Sequence, residues 1–221
     1  MRTTLMKLLS GIILGAVLAL GGTYVYKNYF CPCNNAMAET GDKVVKLGER
    51  VPQFALKNQD GDMIDIMALR EQGPIVVEWF NKDCPYVKKF YGAGEMQRLQ
   101  KQEIDRGVTW LRVVSSAPGK QGYLTQEEAK AQHDASNASH TLLDPTGEVG
   151  RMFDAKTTPK MYVINHDGVL VYSGAIDSIK GFDQADIPNA TNYVVEALYD
   201  LREGREVRTP QTTPYGSGVK Y

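Results

Sequence analysis

The sequence predicts an α/β fold with a mixed, mostly parallel central sheet, and two observations carry this prediction. The run 74–80 is almost continuously apolar, as expected of a central strand buried on both faces, and 108–114 has the composition of the next strand. Segments of helical composition, 84–107 and 126–135, follow these two runs. Strands that alternate with helices along a chain form a central sheet with helices on its faces.

Two hairpins are predicted around this alternation. The first is an N-terminal extension that joins 51–56 to 63–66 through a polar turn. The second joins 161–164 to 170–172, and its connection contains Gly168 where a positive φ is needed. The order β–α–β–α is therefore followed by β–β–α and preceded by an extra hairpin.

The last predicted helix is followed by a tail. Val194, Leu198 and Leu201 fall on one face of this closing helix, and Gly204 stands where a helix C-cap is expected. The tail 206–221 contains prolines and glycines without a regular apolar period. We expect it to be irregular.

Length and composition limit the class of protein. The 221 residues suffice for one domain with appendages, and 43% hydrophobic residues allow a real core. The net charge of −1 gives no basic footprint, so no nucleic-acid partner is expected. His133, His140 and His166 show no ligand spacing with Cys84, so we expect no metal and no cofactor.

Five basic residues lie close before Cys84 or in the segment that follows it. They would suit either a phosphate groove or a solvated helix face, and the second interpretation is preferred because the chain as a whole is not basic. The five are Lys82, Lys88, Lys89, Arg98 and Lys101.

The N-terminus has the pattern of an export signal. Arg2 and Lys7 precede the uncharged, largely apolar run 8–26, and 36–38 has the small-x-small pattern of a cleavage site. Cleavage after Ala38 and retention as a membrane anchor are both open, and either one places the globular part in the periplasm or on the outer face of the cytoplasmic membrane. The expected organisation is a signal or anchor 1–38, a linker 39–50, a domain 51–205 and the tail 206–221.

The chain contains three cysteines, Cys31, Cys33 and Cys84. An exported protein with one cysteine in its domain is not a disulfide-stapled scaffold. Cleavage after Ala38 would leave Cys84 alone. Retention would leave the Cys31-Pro32-Cys33 segment just outside the membrane, and such a pair is too weak a signal to indicate a metal site.

The local context of Cys84 is that of a reactive thiol. An apolar strand runs into a short turn, and Cys84 is followed by Pro85, which suits the first position of a helix. Unpaired N–H groups and the positive end of the helix dipole would both stabilise a thiolate there. A buried structural cysteine is the alternative interpretation.

Two segments together resemble a known family. Cys84-Pro85 after a strand, and Thr157-Thr158-Pro159 before the second hairpin, resemble the thioredoxin fold, specifically the peroxiredoxin-like redoxins of the alkyl hydroperoxide reductase/thiol-specific antioxidant superfamily. The opening segment 48–56 is similar to the start of those domains, and the resemblance covers 44–205. It implies a thioredoxin-like domain in which Pro159 is cis and packs against the thiol. Thr158 and Pro159 would then form the wall where a peroxide or a substrate thiol docks, whereas the alternative is an ordinary trans proline.

The chain also departs from the patterns of these families. Asn81 stands where thioredoxins have the attacking cysteine and where peroxiredoxins have a hydroxyl residue, and Val77 replaces the peroxiredoxin proline. Related chains often carry a cysteine in the tail at the position of Ser217. The Cys-x-x-Cys pair with which thioredoxins exchange disulfides is therefore absent, and the set of residues around a peroxiredoxin's reactive cysteine is incomplete.

The leading hypothesis is a one-cysteine thiol oxidoreductase whose Cys84 sulfenic acid is formed by a peroxide and reduced by an external thiol. Asn81 would donate an amide hydrogen bond in place of the missing hydroxyl. Arg112 or Arg151 would supply the arginine that usually completes such a site. Asp83 opposes thiolate formation, because a neighbouring carboxylate raises a thiol pKa, and Lys82 and Lys88 are expected to offset it.

Two alternatives are open. Cys31 or Cys33 would resolve Cys84 in a thiol–disulfide exchange protein, provided that the N-terminus is retained. A redoxin-fold binding module that has lost its catalysis is the other alternative, and it would use the groove beside Pro159 to bind an extended partner segment.

Overall fold

The computed structural model describes residues 44–221. The predicted signal or anchor, its cleavage site, residues 39–43 of the linker 39–50, and both Cys31 and Cys33 lie outside the described residues. Between Val44 and Tyr221 there is no helix with the length and apolar character needed to cross a membrane.

The described residues alternate between strands and helices, as predicted. The strands are β1 Ala55–Lys57, β2 Met63–Asp65, β3 Ile75–Trp79, β4 Thr109–Val114, β5 His140–Leu143, β6 Thr157–Thr158, β7 Lys160–Ile164, β8 Leu170–Gly174 and β9 Ser217–Gly218. The α-helices are α1 Ile66–Leu69, α2 Pro85–Gly92, α3 Glu95–Ile104, α4 Gln126–Asp134, α5 Glu148–Met152 and α6 Tyr193–Arg202, with short 3-10 segments at Arg70–Gln72 and Gln184–Asn189.

Seven strands form one mixed sheet in the order β2-β1-β5-β4-β3-β7-β8. The pairs β3–β4 and β4–β5 are parallel, and the other neighbouring pairs are antiparallel. The prediction of a mixed sheet with an N-terminal hairpin is confirmed, but parallel pairs are the minority. The reason is that each hairpin adds an antiparallel pair of its own and joins the parallel centre through another.

The central strand β3 is buried on both faces, which explains its nearly continuous apolar sequence. Val76 packs on one side with residues of α2, α3 and α6, whereas Val77 and Trp79 pack on the other side, against α1 and α5 among others. Glu78 is the polar exception. It is fully buried and accepts hydrogen bonds from the Trp110 indole N–H (3.0 Å) and from the Tyr91 hydroxyl (3.0 Å).

Glycines mark several ends of helices and strands, two of them, Gly168 and Gly204, as predicted. Helix α2 ends at Gly92 and α3 begins after Gly94, which has a φ of +71°. Gly168 in the β7–β8 connection and Gly204 after α6 also have positive φ, at +78° and +67°. Glycine adopts this backbone conformation without the steric penalty that a Cβ imposes.

The tail 206–221 contains one regular element, β9, and is otherwise irregular. β9 pairs antiparallel with β6, so that Thr158 lies opposite Ser217 and Thr157 lies opposite Gly218. This small second sheet places the tail beside the N-terminal end of α2, where Cys84 lies.

Candidate functional site

Cys84 lies at the N-cap of α2, just beyond the C-terminal end of β3. Pro85 occupies the first helical position, where its missing N–H costs nothing. The Cys84 carbonyl accepts the Lys88 N–H at 2.9 Å, and the Cys84 N–H donates to the Asn81 carbonyl at 3.1 Å. Local backbone hydrogen bonds therefore fix the position of the Cys84 backbone at the start of α2.

The Cys84 sulfur has two close polar neighbours. Its Sγ lies 2.9 Å from the carbonyl oxygen of Thr158 and 3.1 Å from the hydroxyl oxygen of Ser217. Only 1% of the Cys84 surface is exposed. The thiol is thus enclosed between the helix end, the segment before Pro159 and the tail.

The peptide bond between Thr158 and Pro159 is cis, as the family resemblance implies. Thr158 is buried, and its backbone contributes both the carbonyl beside Cys84 and the strand that pairs with Ser217. The structure therefore brings Cys84, Thr158 and Ser217 together, with Pro159 next in the chain to the contacting carbonyl.

The pKa of the Cys84 thiol is lowered from its ordinary value. Burial raises this pKa, but the hydrogen bonds that favour the thiolate outweigh burial. The largest of these comes from the Ser217 hydroxyl, followed by the Thr158 hydroxyl and the backbone N–H groups of Val87 and Ser217. The Val87 N–H is one of the unpaired donors expected at a helix N-terminus.

Asn81 is buried within the turn that leads to Cys84. Its side-chain Oδ1 accepts the Asp83 N–H at 2.8 Å, while its Nδ2 has no hydrogen-bond partner among the described residues. A Cβ at position 122 would collide with the Asn81 amide, so the absence of a side chain on Gly122 leaves the space that this amide occupies. The Asn81 Oδ1 therefore stabilises the turn, while its Nδ2 is a hydrogen-bond donor without a partner among the described residues.

The carboxylate of Asp83 is neutralised locally. Lys82 Nζ lies 3.1 Å from Asp83 Oδ2. Lys82, one of the two lysines expected to offset the Asp83 charge, therefore forms an ion pair with it. Lys88, the other expected contributor, is exposed.

Neither candidate arginine contacts the sulfur. The Arg112 guanidinium is buried, stacks on the Phe80 ring at 4.4 Å and donates to Thr141 Oγ1. Arg151 lies over the Tyr221 ring at 4.7 Å. Both guanidinium groups are engaged elsewhere.

One of the five basic residues assigned to a solvated face is buried. Lys89 is 1% exposed, and its Nζ lies 3.4 Å from Asp177 Oδ2 and 3.4 Å from the Ile179 carbonyl. Asp177 also accepts a short hydrogen bond from the Tyr215 hydroxyl of the tail. The solvated-face interpretation was wrong for Lys89. Its ammonium group is enclosed by Asp177 and Tyr215, which are far from Lys89 in the sequence.

Sequence reasoning missed the contact of Ser217 with Cys84 and the Lys89–Asp177–Tyr215 cluster. The one signal for Ser217 was the resemblance to chains with a cysteine at that position. No local pattern indicated the cluster, since its members are far apart in the chain. Across residues 44–221, no three His, Cys, Asp or Glu side chains gather as metal ligands.

Similarity to known proteins is strongest at the level of family and fold. No curated protein matches the chain. An uncharacterized conserved protein from Geobacillus kaustophilus has 26% identity and a TM-score of 0.69, over 80% of this chain and 93% of the other. A hypothetical protein from Sinorhizobium meliloti 1021 has 20% identity and a TM-score of 0.67, over 81% of this chain and 96% of the other. The AhpC/TSA family matches residues 47–173, so this thioredoxin-like chain belongs to the AhpC/TSA family of thiol oxidoreductases.

Proposed function

We propose that the chain is a one-cysteine thiol-dependent peroxidase that acts through Cys84. The observation that carries the proposal is a thiol at a helix N-terminus whose pKa is lowered by hydrogen bonds in spite of its burial. Thiolates, and not thiols, are the reacting species in such enzymes. Cys84 is the only cysteine in the part of the chain that the structure describes, and the reductant in this proposal is an external thiol.

The proposed reaction consists of an oxidation of Cys84 by the peroxide and a reduction of Cys84 by two external thiols. The Cys84 thiolate attacks one peroxide oxygen, the O–O bond breaks, and the sulfur is oxidised to sulfenic acid while the other oxygen leaves as an alcohol or water after taking up a proton. An external thiol then condenses with the sulfenic acid, which releases water and forms a mixed disulfide. A second external thiol then attacks the first external sulfur of this mixed disulfide, so that the two external thiols form a disulfide and Cys84 is released as the thiol.

The neighbouring residues have separate roles in this scheme. Ser217 and Thr158 hold the sulfur. The unpartnered Asn81 Nδ2 would donate to the peroxide, a role supported by the absence of any other partner for it among the described residues. Pro159 would form part of the wall against which the peroxide docks.

The lowered pKa favours a redox role over the binding-module alternative, for which an ordinary thiol would suffice. Exchange with Cys31 or Cys33 has no support from residues 44–221. A location outside the cytoplasm remains part of the proposal, and it rests on Arg2, Lys7 and the apolar run that follows them.

The test is peroxide consumption by the full chain, with sulfenic acid at Cys84 detected by a dimedone adduct on the Cys84 peptide. We expect turnover with hydrogen peroxide or an organic hydroperoxide in the presence of a small thiol, and no turnover in Cys84→Ser. An unreactive Cys84 in the wild-type chain, or equal turnover in Cys84→Ser, would reject the proposal.

A further inference from the structure

A hydroxyl group from the far end of the chain contacts the Cys84 sulfur. Ser217 Oγ lies 3.1 Å from Cys84 Sγ, while Asn81, in the turn before Cys84, has no hydroxyl. A serine hydroxyl accepts from a thiol and also donates to a thiolate. Ser217 can therefore stay bonded to the sulfur in both protonation states, whereas the Thr158 carbonyl at 2.9 Å can only accept from the thiol.

The position of Ser217 is set by backbone pairing. Ser217 lies directly opposite Thr158 in the β6–β9 pair. Gly216, immediately before it, has a φ of +146°, and a Cβ there would collide with the Thr158 carbonyl. The backbone of the tail therefore lies so close to the segment before Pro159 that there is no space for a side chain at position 216.

The tail is anchored on both sides of Ser217. On the preceding side, the buried Tyr215 donates its hydroxyl to Asp177, which also faces Lys89. On the following side, the Val219 N–H donates to the Lys156 carbonyl at 3.0 Å, and the Tyr221 hydroxyl donates to the Ala155 carbonyl at 2.6 Å. These hydrogen bonds hold the backbone on both sides of Ser217 and so restrict the positions that its hydroxyl can adopt.

We propose that Ser217 is a positioning residue for Cys84, delivered by the C-terminal tail to hold the sulfur and to stabilise its thiolate. This inference rests on the proposed function for its use in catalysis, but the contact itself is testable without any peroxide. In this arrangement the hydroxyl that the turn before Cys84 lacks comes from the tail. Docking of the tail then governs both the ionisation of Cys84 and its exposure.

The experiment measures the pH profile of Cys84 alkylation by iodoacetamide in the full chain. Mass spectrometry of the peptide that contains Cys84 separates its signal from Cys31 and Cys33. The midpoint of the profile reports ionisation, and the plateau at high pH reports exposure of the sulfur. A merely structural role of Ser217 would change the plateau and leave the midpoint in place.

The variants are Ser217→Ala, which removes the hydroxyl, and Ser217→Thr, which retains it. Thr213→Ala is the matched control, because Thr213 is an exposed hydroxyl residue of the same tail. We expect the midpoint of Ser217→Ala to rise, with alkylation on the acid limb slowed about tenfold, as the loss of a hydrogen bond to a charged group predicts. Ser217→Thr and Thr213→Ala should keep the wild-type midpoint.

An unchanged midpoint in Ser217→Ala would overturn the inference, even if the plateau rises. An equal rise in Thr213→Ala, or in Ser217→Thr, would also overturn it, because the effect would then not follow the Ser217 hydroxyl. A wild-type chain that shows the expected profiles but does not react with peroxide would reject the proposed peroxidase function and leave the role of Ser217 standing.

Discussion

The two sides of the Cys84 site are built by different means. The α2 side is local: strand β3, a turn held by Asn81 and a proline at the first helical position fix the cysteine within a few residues. The tail side is non-local, since Ser217 reaches the sulfur from more than 130 positions away. The difference teaches that the attachment of the thiol and the chemical environment of the thiol have separate origins in this chain.

Lys89 connects the two sides, and its removal should have the largest effect. Lys89→Met would leave the buried Asp177 carboxylate without its cation, which typically costs about 3–5 kcal/mol of unfolding free energy. Lys88→Met is the matched control, because Lys88 is the adjacent residue of the same helix and is exposed. It should change stability by no more than about 0.5 kcal/mol.

Chemical denaturation of the two variants measures this difference. Equal stability of Lys89→Met and Lys88→Met would mean that Asp177 finds other compensation, and that the link between helix α2 and the tail is weaker than its burial indicates.

Gly216→Ala separates the two sides without touching either functional group. The new Cβ meets the Thr158 carbonyl in a positive-φ backbone, and strain of about 1–3 kcal/mol should release β9 from β6. We expect Cys84 to be alkylated faster at its high-pH plateau. Gly61→Ala is the control, since Gly61 also has a positive φ but open space around it.

The control should lose stability through backbone strain alone and keep the wild-type plateau. A plateau in Gly216→Ala that matches wild type would contradict the view that the tail encloses the thiol.

The smallest expected effect is a pH dependence of stability. Hydrogen bonds to the Cys84 sulfur lower its pKa below the ordinary value of 9.0 despite burial, so the unfolded chain binds the proton more tightly than the folded one. This contribution is fully present above pH 9.0 and is lost as the pH falls through the pKa of the folded state. The unfolding free energy of wild type should therefore rise, relative to Cys84→Ala, between neutral pH and the ordinary thiol pKa.

Urea denaturation of both proteins at several pH values in this range gives the difference directly. A constant or falling difference would indicate that burial outweighs the hydrogen bonds, and that the thiolate is not favoured in the folded protein.

Patterns with a short range allowed much of the fold to be predicted. The apolar run of β3, the glycines at Gly168 and Gly204 and the Cys84-Pro85 helix start all act over a few residues, and each one has the predicted structure. The prediction of a mostly parallel sheet failed because strand direction depends on which strands become neighbours. The antiparallel pairing of β3 with β7 joins segments that are far apart in sequence.

By itself, the sequence determined the order of strands and helices, the helix end that carries Cys84 and the glycine turn between β7 and β8. Only the tertiary structure decided that Lys89 is buried, that Arg112 and Arg151 are engaged away from the sulfur, and that Ser217 contacts Cys84. The physical reason is range. Backbone preferences and apolar periodicity act between near neighbours in the chain, whereas the burial of a charge and the environment of a thiol depend on residues that only folding brings within contact distance.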